Sequence, residues 1–328
     1  MDRVYFLKNF ELIEKKTQEL LRNFYLSNNN VLIKIHFGEP GNKFAFSVED
    51  IRPVIKAMKS LELNPTFFDS IVAYNSPRDS VKGYEQAVRE KGFDKLASFN
   101  ISNIGIPVEV KDFTAYVCKE LAEANNVLVV SHVKGHSCAG FGGAVKNLAM
   151  GGVTRETKKI QHVLCKPKFI SECQGCGVCA DLCPAKAIKM VDGKAQLDNS
   201  KCWGCSICQT QCPHKCLAPE RASFDDLLGQ SASAVIKNLP AKTFYINFLK
   251  NIVMLCDCET DPGEIISKDI GVLFSSNPVA IDKASIDIIN KVNHKNLFEE
   301  TNHKNPLLHV EYASEYIGKS MDYDLVLV

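Results

Sequence analysis

Eight cysteines in this chain are arranged as two copies of one spacing. Cys173, Cys176, Cys179 and Cys183, closed by Pro184, form the run C-x2-C-x2-C-x3-C-P, and Cys202, Cys205, Cys208 and Cys212 with Pro213 repeat it 29 residues further on. Three thiolates on a tight loop cap three irons of one cube, and a fourth that cannot fold back reaches across to a second cube. The expected ligand sets are therefore crossed: Cys173, Cys176, Cys179 and Cys212 for one [4Fe–4S] cluster, and Cys202, Cys205, Cys208 and Cys183 for the other. Gly175, Gly177 and Gly204 let the backbone wrap each cube, and the prolines turn the chain after each crossing residue. CxxC pairs also bind zinc, and clusters can serve only to staple a fold, but the repeated eight-cysteine spacing favours a dicluster ferredoxin-type module that moves single electrons. A ninth cysteine, Cys216, falls opposite Ala187 in the repeat, so it is read as a small buried group and not as a ligand.

A second set of reactive residues precedes the module. Ser131 to His162 reads SHVKGHSCAGFGGAVKNLAMGGVTRETKKIQH. A strand ends at Ser131, a loop rich in glycine follows (Gly135, Gly140, Gly142, Gly143), and a short helix carries Lys146. Loops of this kind at helix starts expose N–H groups to phosphates and other anions, although neither GxxxxGK[ST] nor GxGxxG is present. His132, His136, His162, Cys138 and Lys146 lie in or beside it, with Cys138 read as a packed thiol. His36, followed by Gly38 and Glu39, closes the first strand of the region and belongs at the same sheet edge. The expectation is that His136, Lys146 and His162 converge there with His36 as catalytic candidates, and that Gly140, Gly142, Gly143 and Lys146 hold a cofactor or substrate. Further on, Cys256 and Cys258 in the triplet CDC share one side of a strand end, facing one metal or each other. Asp269 and Asp282 flank the next strand and helix.

Positioning these residues calls for an α/β scaffold. Val31–Phe37, Thr66–Phe68, Val127–Ser131, Phe244–Phe248, Ile252–Leu255 and Ile270–Phe274 read as strands, as does the terminal LVLV. Between them, helices are expected from the Ser47 cap with Asp50 to Leu61, over Tyr84–Lys91 up to Gly92, over Thr114–Ala124, and from Asn277-Pro278 to about Asn290. Such alternation implies a mostly parallel sheet with helices on both faces. It is interrupted by the cysteine module, giving residues 1–168 and 222–328 as two parts of one domain around an insertion at 169–221.

The bulk composition narrows the remaining possibilities. With 45% hydrophobic and 23% charged residues, the chain can bury a large core. A net charge of +1 without basic blocks gives no sign of a nucleic-acid partner. No signal-like or membrane-spanning apolar stretch is visible, so a cytoplasmic address is expected, where clustered cysteines act as metal ligands and not as disulfides.

The progression HVKGH, AGFGGAVKNLAMGG and QH, followed by the paired CxxCxxCxxxCP runs and by CDC, DIGVL and NPVAID, resembles the DUF362 family of iron–sulfur proteins over nearly the whole chain. That resemblance implies the bacterial-type ferredoxin module and its α/β surroundings. One segment is also similar to nickel-pincer lactate racemases, whose Lys binds a pyridinium-derived nucleotide and whose last His ligates nickel; the matching positions are His136, Lys146 and His162. The loop after the first strand departs from that family, carrying His36-Phe37-Gly38-Glu39 instead of an acidic Thr-Arg-Pro loop. Taken together, these features point to an iron–sulfur redox enzyme exchanging electrons with a partner protein and acting on a small molecule, with a further metal or nucleotide-like cofactor as an open possibility. The alternatives are a ferredoxin-like carrier docking on a reductase and a protein that assembles a metal or metallo-cofactor.

Overall fold

In a computed structural model describing residues 1–328, the chain builds one eight-stranded sheet. The strands are β1 (Asp2–Leu7), β2 (Asn30–Ile35), β3 (Asn64–Ser70), β4 (Ser98–Ser102), β5 (Val127–His132), β6 (Thr243–Leu249), β7 (Gly271–Ser275) and β8 (Tyr323–Leu327). Their order across the sheet is β8-β1-β7-β6-β5-β2-β3-β4. β4, β3, β2, β5 and β6 pair in parallel, whereas β7 runs antiparallel to both its neighbours, β6 and β1.

Period-two alternation divides the core between the faces. Leu128, Val130, Phe244, Ile246 and Phe248 pack with helices Ile13–Arg22, Val48–Ser60 and Val81–Glu90. Val127, Val129, Tyr245 and Leu249 face the other layer, built from Ala144–Gly151, Arg155–Leu164, Phe224–Asn238, Pro278–Asn293 and Leu308–Ile317. The expected start of Val48–Ser60 holds in atomic detail: Ser47 and Asp50 form a reciprocal capping box. Asn277 caps its helix through Val279 and Ala280, with Pro278 in the first turn.

Two assignments differ from the sequence reading. Thr114–Ala124 is not a helix; Thr114–Cys118 is a strand in a hairpin with Gly105–Glu109, and only Lys119–Ala122 makes a helical turn. The segment Ala115, Tyr116, Val117 alternates inward and outward, a two-residue period hidden by the helix-favouring KELAEA that follows. The strand at Ile252 is also shorter, ending at Val253, because the chain turns to present the CDC triplet.

The cysteine segment leaves and rejoins the sheet-bearing body at one place, where Pro167–Phe169 pairs antiparallel with Leu217–Pro219. Its own apolar core has only seven buried residues, four of them cysteines. No helix is long and apolar enough to cross a membrane.

Candidate functional site

The 29-residue sequence repeat is also a repeat of conformation. Short helices Val178–Asp181 and Ile207–Thr210 occupy equivalent positions, and Gly175 and Gly204 share φ of +74° and +72°. Gly177 matches Ser206 at φ +77° and +65°, and Lys186 matches Lys215 at +50° and +49°. Ser206 takes a backbone shape that costs a residue with a Cβ, and its Oγ accepts the Phe224 N–H at 3.0 Å, tying the loop to the body.

Backbone N–H groups point at the sulfurs. Gly175 and Ala195 each donate to Cys173 Sγ at 3.4 Å, Gly204 to Cys202 Sγ at 3.3 Å, and Ala187 to Cys183 Sγ at 3.2 Å. The Ala195 and Gly175 donors hold the Cys173 thiol below its ordinary value, as a thiolate ligand requires. Burial, and next the neighbouring thiols Cys205, Cys202, Cys179 and Cys183, push the Cys208 thiol far up. Sulfurs gathered this closely need a cation to carry their charge as thiolates. Cys183 is among the thiols whose charge opposes ionisation of Cys202, Cys205 and Cys208, and Cys212 among those opposing it at Cys173 and Cys179. The donor set therefore fits metal–thiolate chemistry. Cys216, in Ala187's place, is buried with its sulfur 3.4 Å from Cys212 Sγ.

The second site is an open cleft of about 520 Å³ beyond the carboxyl ends of β2, β5 and β6. Chain order reverses between β2 and β5, so this is the switch point where open α/β sheets leave a crevice. β2 delivers His36 to the cleft, β5 delivers Ser131 and His132, the following loop and helix add Gly142, Gly143 and Lys146, and the chain after β6 adds Cys256 and Cys258.

Asp257 organises the cleft floor. Its carboxylate meets His132 Nδ1 at 2.9 Å and Lys134 Nζ at 3.1 Å, all three buried. Burial alone would raise the Asp257 carboxyl, but His132 and Lys134 outweigh it and hold the group well below the carboxylate range. The Asp257 carbonyl also accepts the Glu39 N–H at 2.7 Å. Thus pinned, the triplet aims both flanking sulfurs outward, bonded to each other, and a ligand atom of His136 lies within 4.8 Å of each. Lys146, half-buried at the cleft wall, has its ammonium lowered to about 8 by desolvation. Burial and then the Arg78 guanidinium keep His36 well below an ordinary histidine. The His36 Nδ1 accepts the Gly38 N–H at 3.0 Å, and its Nε2 lies 3.1 Å from Arg78.

Two expectations about this loop require correction. The N–H groups of Ala144 and Val145, which the glycine-rich pattern assigned to an external anion, donate to Asp282 at 2.7 and 2.8 Å. Gly143 is required here because a Cβ would stand 2.3 Å from Asp282 Oδ1, and Gly140 packs on Pro306, so neither serves as an anion cradle. His162 does not line the cleft: its Nδ1 lies 2.8 Å from the Trp203 carbonyl and its ring stacks on Phe224, at the seam between body and cysteine segment. His36 and Lys146 do meet in the cleft, with His136 beside its sulfur pair. Asp269 accepts the Asn251 N–H at an exposed turn, away from the cleft.

One important residue carried no sequence signal. Lys304 is buried, paired with Asp225 at 2.7 Å, and donates to the Cys205 carbonyl at 2.8 Å and to the Cys138 carbonyl. Beside it at the seam, Gly204 packs so closely that a Cβ would stand 2.3 Å from Cys165 Sγ.

A family model described as a domain of unknown function, DUF362, matches residues 31–287. None of the curated proteins matches the chain. Among solved structures, a protein from Thermotoga maritima is similar with a TM-score of 0.51 at 9% identity, over 88% of this chain and 59% of that one. The lactate racemase apoprotein from Thermoanaerobacterium thermosaccharolyticum is similar with a TM-score of 0.41 at 13% identity, over 89% of this chain and 58% of that one. The chain thus spans less than two thirds of either protein; the first similarity supports the α/β fold alone.

Proposed function

The chain belongs to the DUF362 family, and starting from that family's unassigned chemistry we propose that it is an iron–sulfur redox enzyme whose substrate binds in the switch-point cleft. The crossed cysteine sets would hold two [4Fe–4S] clusters, which when bound supply one-electron transfer. The observation that carries the reading is the seating of the second cysteine loop on the same body that holds the cleft, with Gly204 against Cys165 and the Trp203 carbonyl on His162.

Within the cleft, Lys146 is the group suited to an anion. With the helix N–H groups taken by Asp282, its ammonium is the charge available to a carboxylate or phosphate. An amine lowered to about 8 also exchanges protons near neutral pH. His36, half-buried and held well below an ordinary histidine by desolvation, lines the same cleft. Exposed Phe169, Ile170 and Trp203 around the cysteine segment favour, as a second reading, a docking face for a protein partner, which an electron carrier would also need.

Metal and sulfide analysis of anaerobically purified protein tests the first step: about eight irons and eight sulfides per chain are expected, and zinc in their place overturns it. Binding of small carboxylates or phosphates, lost in Lys146→Ala but with iron retained, tests the cleft. Full iron with no anion binding leaves the carrier reading instead.

A further inference from the structure

Cys256 and Cys258 have no role in the cluster sets, yet they are among the most precisely held groups of the cleft. Between them, Asp257 is locked by His132, Lys134 and the Glu39 N–H. Each sulfur is partly exposed, and the two are joined. A short run of hydrogen bonds and backbone leads from the second cysteine loop to His136, whose ring lies beside this pair. Lys304 Nζ donates to the Cys205 carbonyl at 2.8 Å and to the Cys138 carbonyl; the Cys138 N–H donates to His136 Nδ1 at 3.0 Å; and His136 lies within 4.8 Å of both sulfurs.

A metal bound by His136, Cys256 and Cys258 would suit this spacing, but the histidine argues otherwise. His136 Nδ1 accepts two backbone bonds, from Cys138 at 3.0 Å and from Ala139 at 3.1 Å. The hydrogen-bond pattern therefore assigns the proton to Nε2. A metal-ligating histidine does the opposite, donating from its outer nitrogen and keeping a lone pair for the ion. With Nδ1 occupied, the nitrogen left for the sulfurs is an N–H donor, suited to stabilising a thiolate.

We propose that Cys256 and Cys258 form a dithiol–disulfide centre that collects two single electrons for the cleft. The inference rests on the iron–sulfur reading above. On reduction the S–S bond breaks, the pair takes up two electrons and two protons, and two thiols form. The electrons come singly from a one-electron donor protein by way of the Cys205 loop; one proton comes from the Lys146 ammonium and the other from water. Oxidation by a two-electron substrate in the cleft returns the pair to its bonded form and releases both protons.

A reductive titration of anaerobic, iron-replete protein tests this, after mild oxidation with thionine and with photoreduced deazaflavin as the one-electron source. The wild type should take up about four electrons, one per cluster and two for the bond. Cys256→Ser and Cys258→Ser should take up about two, with unchanged iron content. Alkylation read by mass spectrometry should find Cys256 and Cys258 blocked before the titration and labelled after it. Full iron with only about two electrons taken up, or labelling of the pair before any reductant, overturns the proposal while leaving the cluster reading intact. Absence of iron overturns both.

Discussion

Within each cysteine run every donor lies three or four residues from the next, and the segment's small core of seven buried residues includes donors themselves, Cys179, Cys208 and Cys212. The cleft draws His36, Lys146 and Asp257 from three distant stretches, brought together by a sheet between layers of 41 and 29 buried residues. The first region has little apolar core of its own, so a metal held by its cysteines would supply much of its order; the second has its scaffold in the sheet. Local spacing can encode the first kind of site, whereas only a whole fold can encode the second.

Iron removal gives the largest separation of the two. Chelation under anaerobic conditions should raise amide exchange over residues 171–219 by about 100-fold or more, while β2, β5 and β6 keep their protection. Exchange mass spectrometry reads both at once, and equal loss in the sheet would erase the contrast. A finer cut comes from Cys183→Ala, which should lower bound iron from about eight to about four and spare the set around Cys173. Loss of the Cys173 set instead would reject crossing. Cys216→Ala should leave the iron content unchanged, since its counterpart in the repeat is Ala187.

The cleft should respond to charge rather than to iron. Asp257→Asn leaves His132 and Lys134 without their buried partner and should cost about 3 kcal/mol in denaturant unfolding, with the cysteine segment's iron retained. The smallest effect concerns Lys146. Its amine is lowered from 10.5 to about 8, so folding releases a proton between those values, and its contribution to stability rises with pH across that window. Acylation of Lys146, followed by peptide mass spectrometry, should show a midpoint near pH 8, and a midpoint near 10 would remove it as the cleft's proton donor.

The uneven legibility of the sequence follows from the same contrast. The Ser47 and Asn277 caps and the ends of β2 and β5 are local signals, and each located its element closely. His162 falls outside the cleft because the helix Arg155–Leu164 turns it toward Trp203, an orientation that no local pattern around it encodes. Asp282 defeated the phosphate-loop expectation because its partners, Ala144 and Val145, lie over a hundred residues away. Lys304 sits in the stretch His303-Lys304-Asn305-Pro306, where nothing periodic marks it, and it matters only through carbonyls contributed by Cys138 and Cys205.

The position of β1 bears on how the chain is made. Its neighbours in the sheet are β7 and β8, so this strand, made before either of them, finds one partner only after residue 271 and the second only after residue 323. At translation rates of about 5–20 residues per second, Val4 and Phe6 wait for tens of seconds with their apolar faces uncovered. During that interval the parallel strands can already assemble, with β3 and β5 each joining β2 and β4 joining β3 as they are made. Closure of the sheet by β1 is thus a late event in biosynthesis, and the nascent chain should present this strand to chaperones for longer than β2, β3, β4 or β5.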